Sequence, residues 1–127
     1  MLFSIITPFK CSSFRYGSVE RKNIKTRFSL HKLVESHHVI PKQWKNHPIL
    51  TKYGYDVSEN YNIMFMPTLQ GVKELNTNRL LHTGGHTPYN KYVKHNLDLI
   101  DTIEQLDDLR KYLRYCMKGN PDGIPWK

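Results

Sequence analysis

Two pairs of histidines carry the chemistry that can be read from this chain. His37 and His38 stand side by side ahead of Val39-Ile40-Pro41, and His82 and His86 flank Thr83-Gly84-Gly85. A neutral imidazole ligates metal ions, and its pKa near neutrality lets it take up a proton at working pH. The H-x3-H spacing brings two rings to one face of a helix, and a tight glycine turn can do the same. Two such rings need one more ligand to hold a divalent ion. Adjacent histidines on an extended segment point to opposite sides. One can then ligate metal while its neighbour serves as a base, provided a twist or loop brings both toward the substrate. An H-x3-H alone is a weak signal, since scattered surface or core histidines produce it too.

The elements that must position these side chains follow from local patterning. The β-branched pair Val39-Ile40 favours a strand over residues 37–41, and Pro41 stops a helix there. Pro48 at a first helical position and Gly54 at a C-terminal cap predict a short helix between them. Residues 56–60 read as a polar turn, and the apolar run Tyr61–Pro67 as a second strand. Residues 70–81 stay open between a loop and a single helical turn, because Gly71, Asn76 and Asn78 interrupt them. Thr87 as cap and Pro88 at the first position predict a helix with Tyr89, Tyr92, Val93 and Leu97 on one face. The Asp101–Glu104 spacing predicts a capping box and a second helix from 101. Its apolar stripe runs through Ile103, Leu106, Leu109, Leu113 and Met117 to Gly119 and Pro121. Residues 1–30 show no clean period and read as a basic arm.

The 127 residues give one domain with a single modest core. The net charge is +8, and it is uneven: residues 1–34 hold seven Lys or Arg against one acid. Such a basic half suits a polyanion, nucleic acid first. Arg15, Arg21, Lys22, Lys25, Arg27, Lys42, Lys45 and Lys91 are the candidate phosphate contacts. No apolar run approaches the roughly 20 residues of a membrane span, so no membrane partner is expected. Cys11 and Cys116 are too few for a disulfide framework or a four-cysteine zinc site. They read as reduced thiols, with one disulfide between them left open. His31, His47 and His95 read as surface histidines, and Trp44 and Tyr89 as packing residues. Asp98, Asp101, Asp107 and Asp108 read as a solvated helix face rather than a carboxylate metal site.

Three stretches together resemble a family: Ser36-His37-His38-Val39-Ile40-Pro41, Asn62-Ile63-Met64-Phe65-Met66-Pro67, and Leu81-His82-Thr83-Gly84-Gly85-His86-Thr87-Pro88-Tyr89-Asn90. They are similar to the AHH and SHH signature families of the HNH/endonuclease VII nuclease superfamily. Ser36 stands where the AHH signature has Ala and matches the SHH variant. The resemblance covers about residues 35–97 and leaves the arm and the last helix outside. It implies an α+β fold, a small ββα-metal core to which this chain adds the basic arm and a C-terminal helix. The domains would be an arm over 1–30, the nuclease domain over 31–120 and a tail over 121–127. It further implies that His37, His82 and His86 are metal ligands and that His38 is the general base. Asn62 would pin the loop between the strands through backbone hydrogen bonds. Gly84-Gly85 would put His82 in the turn ahead of the helix.

The activity so implied is metal-dependent hydrolysis of phosphodiester bonds, in DNA ahead of RNA. The cofactor is one divalent ion, Mg²⁺, Zn²⁺ or another transition metal. The alternative is a non-catalytic nucleic-acid-binding or structural metal-binding module with the same fold. An intracellular setting is expected, with a viral or bacterial-effector origin left open. An immunity protein would be a further partner if the chain is a toxin. The oligomeric state is not legible.

Overall fold

The two predicted strands pair with each other. In the structure, a computed structural model that describes residues 13–77, 79–81 and 86–126, β1 (Val34–His38) runs antiparallel to β2 (Ile63–Pro67). The register sets His37 opposite Met64 and His38 opposite Ile63. β1 starts and ends three residues earlier than expected. Val39 and Ile40 turn away into the core, both fully buried, and the Val39 N–H still reaches the Asn62 carbonyl at 2.7 Å.

Between the strands lies the predicted short helix, α2 (Pro48–Lys52), with Pro48 at its start and Gly54 closing it. His47 caps it: Nδ1 accepts from the Ile49 N–H at 3.2 Å, and Nε2 then donates to Asp98 at 2.7 Å. His47 is thus half-buried and structural, not the surface residue expected. The open region after β2 forms α3 (Leu69–Leu75), capped by Thr68 and ended by left-handed Asn76. Gly71 does not interrupt this helix; it is a close-approach residue. A Cβ there would sit 1.8 Å from the Leu33 carbonyl oxygen, so only glycine lets α3 cross the entry to β1.

The predicted pair of helices follows. α4 (Thr87–Leu99) is capped one residue earlier than expected, at His86, whose carbonyl accepts from the Asn90 N–H at 3.1 Å. α5 (Ile103–Gly119) starts one frame later than expected. Thr102 and Gln105 form the capping box, and Gln105 Oε1 also takes the Asp101 N–H at 2.8 Å. That second bond, which an Asp101–Glu104 box does not supply, favours this frame. Tyr89, Val93 and Leu97 of α4 meet Leu106, Leu113, Cys116 and Met117 of α5 in one core with Val39, Ile40, Leu50, Met64 and Met66. Arg114 fastens α5 to the entry of β2, donating to the Ile63 carbonyl at 3.3 Å. Cys116 is a buried free thiol, and Cys11 lies outside the described residues. Among the described residues no helix is long and apolar enough to cross a membrane.

Residues 13–30, read as part of a basic arm, carry regular structure. They include a helix, α1 (Val19–Arg27), capped by Ser18. Arg21 is only 6% exposed and donates to the Phe14 carbonyl and to Asn60 Oδ1. Arg15 pairs with Asp56 at 2.7 Å and with the buried Glu59. Two arginines expected to face phosphate are therefore engaged by the fold's own side chains, Arg21 in its interior and Arg15 at its surface.

Candidate active site

Asn62 is the anchor from which the site is built. It is 0% exposed. Its Oδ1 accepts from the Ile40 N–H at 2.8 Å, and its Nδ2 donates to the carbonyls of Ile40 at 3.0 Å and Val57 at 2.8 Å. One amide thus ties the chain leaving β1 to the loop before β2. The same exit from β1 is tied to α4, since the Tyr89 hydroxyl donates to the Val39 carbonyl. Burial pushes the Tyr89 pKa far up, so the hydroxyl stays a donor. Trp44 makes a second tie, donating from Nε1 to the Asn90 carbonyl at 2.9 Å. The first turn of α4 is thereby held against the end of β1.

That arrangement brings the histidines together. The His37 and His86 rings meet edge to face, centres 5.0 Å apart at 80°. Nε2 of His37, Nε2 of His38, Nδ1 of His86 and Oδ1 of Asn90 are all shielded from solvent. Among the described residues, neither His38 Nε2 nor Asn90 Oδ1 finds a hydrogen-bond partner. All four residues line a cleft of about 340 Å³, with Lys42 at its edge. Burial, then the positive charges of Lys42 and Arg21, hold the His38 pKa below the ordinary imidazole value. His38 therefore stays neutral, and able to accept a proton, to lower pH than a free imidazole.

The ring spacing of His37 and His86 is compatible with two ligands of one divalent ion. Two imidazoles bound to one tetrahedral ion at about 2.0–2.1 Å have ring centres roughly 5 Å apart, and His37 and His86 meet that spacing. His82, the expected third ligand, lies outside the described residues. Among the described residues no three His, Cys, Asp or Glu converge on one point. Asp98 of α4 and Asp107 of α5 are engaged elsewhere, Asp98 with His47 and Lys94, Asp107 with Arg110 and Lys111.

Comparison with known families decides the identity. A family model for AHH, a nuclease family of the HNH/ENDO VII superfamily with conserved AHH, matches residues 18–114. The chain belongs to this AHH nuclease family. The match is wider than the resemblance read from the three stretches, taking in α1 and most of α5. No curated protein and no solved structure matches the chain. The two-stranded sheet with α4 packed beside it is the α+β core that an AHH nuclease is expected to have.

The remaining candidates of this AHH nuclease are spread over its surface. Lys22, Arg27, Lys42, Lys45 and Lys91 are exposed, while Lys25 lies over the Phe65 ring at 5.7 Å. Two side chains at the site carry no signal in the sequence. Trp126, beyond the family match, stacks on His86 with ring centres 4.6 Å apart and meets His37 at 5.2 Å. Tyr16 leans on His38 at 4.6 Å. Asn90 lies within the third of the family-like stretches, which by itself assigns it no role.

Proposed function

We propose that the protein is a metal-dependent endonuclease that hydrolyses phosphodiester bonds of DNA, with His38 as its general base. The observation that carries this reading is the pairing of His37 with His86 at 5.0 Å, beside a His38 whose buried Nε2 has no partner among the described residues. His37 and His86, with His82, would hold the ion. A divalent ion bound there supplies Lewis-acid stabilisation of the phosphate oxygens and the departing ester oxygen. His38 takes a proton from the water that attacks phosphorus in line. The new P–O bond forms as the ester P–O bond breaks, and the proton resides on the imidazole. Asn62 never meets the substrate; it holds the β1 exit and the following loop so that His37 and His38 keep their places. Lys42 at the cleft, and Lys45, Lys91, Lys22, Lys25 and Arg27 elsewhere on the surface, contact the backbone of either nucleic acid without reading sequence. The +8 net charge favours such a polyanion.

Nicking of supercoiled plasmid, with and without chelator, tests the proposal. Wild type should nick only with free divalent ion. His38→Ala should lose nicking yet bind metal in calorimetry, whereas His86→Ala should lose both. Cleavage that survives His38→Ala removes the base from the mechanism. DNA binding with no cleavage of plasmid or RNA under any metal means a non-catalytic module.

A further inference from the structure

The arm residues whose charge suggests a DNA tether are fastened beside the base. Three independent ties hold residues 14–21 to the loop that leads into β2. The Tyr16 N–H donates to the Ser58 carbonyl at 2.8 Å. Arg15 bridges Asp56 and the buried Glu59. Arg21, itself buried, grips Asn60 Oδ1 at 2.6 Å and the Phe14 carbonyl. This is the loop that Asn62 anchors from its other end. Gly17, at φ +74, then turns the chain from Tyr16 into the cap of α1, a conformation that glycine alone takes without strain. The product of this construction is one contact: the Tyr16 ring against the His38 ring, centres 4.6 Å apart and tilted 41°.

A general base works only if its ring is oriented, and the orienting group is usually a hydrogen-bond partner. The buried Nε2 of His38 has none among the described residues. We propose that Tyr16 is the positioning residue for His38, and that the Arg15–Arg21 latch serves to keep it there. The proposal rests on the nuclease reading for its catalytic consequence, but the contact itself does not. Tyr16 is 48% exposed, so its removal opens no core cavity. It acts through packing, so the ring is required and the hydroxyl is not.

The test uses the full chain and two variants, Tyr16→Ala and Tyr16→Phe. In the metal-free protein, the imidazole proton resonances of His38 should carry a ring-current displacement that Tyr16→Ala abolishes and Tyr16→Phe keeps. With plasmid as substrate, Tyr16→Ala should lower kcat about 10- to 100-fold, the scale expected of a misplaced catalytic group. KM should stay within about twofold of wild type, and Tyr16→Phe should restore kcat. Matching thermal melts would show that both variants are folded. A wild-type His38 without the displacement, or a Tyr16→Ala kcat within twofold of wild type, overturns the proposal. A loss confined to KM also overturns it, because Tyr16 would then be touching DNA. A wild type that shows the displacement and cleaves nothing defeats the nuclease reading instead, so the two failures are distinguishable.

Discussion

At the scale of residues, a few polar atoms decide whether the cleft exists. Asn62→Ala would strip partners from the Ile40 N–H and from the Ile40 and Val57 carbonyls, all around a fully buried position. Unsatisfied buried groups cost about 1–3 kcal/mol each, with partial relaxation. The variant should lose roughly 2–4 kcal/mol in a urea melt, and an unchanged midpoint would mean that the amide is not the anchor. His38 yields a pH prediction. Its pKa is held down by burial and then by Lys42 and Arg21. Removing a nearby positive charge stabilises the imidazolium, so Lys42→Gln should raise the pKa. The acid limb of kcat, where the base becomes protonated, should then move to higher pH. A pH–rate profile at saturating DNA checks this, and an unmoved limb argues against His38 as the titrating base.

At the scale of elements, the two strands, α2, α4 and α5 are legible in the sequence because their signals are local. Pro48 and Gly54 bracket α2, and a 3.6-residue stripe marks α5. The histidine pairs and Asn62 are legible for a related reason: the types and spacing of these residues are unusual. The rest is decided by tertiary contact. A buried guanidinium such as Arg21 looks in sequence like an exposed one, so its charge points to DNA binding. Gly71 reads as a breaker until Leu33 is seen beneath it. Tyr16 sits in a stretch with no period, and its partner is 22 residues away in β1. The cations of α1 still outside the latch are Lys22, Lys25 and Arg27. Replacing all three with Gln should flatten the slope of log affinity against log salt by about 0.9 for each phosphate no longer neutralised. Turnover at saturating DNA should be unchanged, since none of these side chains lines the cleft of His37, His38 and His86. An unaltered slope would take α1 out of the nucleic-acid interface.

At the scale of the whole molecule, segments on both sides of the family match reach the histidine cleft. Residues 14–21 arrive at His38, and Trp126, beyond the end of the family match, arrives at His86. The Trp126 Nε1 donates to the Leu81 carbonyl at 3.1 Å, which holds the indole there. The other tryptophan, Trp44, is bonded to the Asn90 carbonyl, one turn further along α4. The chain has two tryptophans and no more. Its tryptophan emission, excited at the red edge of the band where the eight tyrosines do not absorb, is consequently a built-in optical probe of the cleft's surroundings. Titrating the chelated-then-desalted protein with Zn²⁺ should change that emission and reach saturation at one ion per chain. Trp126→Phe should remove most of the change, because its indole lies on a proposed ligand, while Trp44→Phe should leave most of it. Emission that ignores metal in wild type, while calorimetry records binding, would place the ion away from His86.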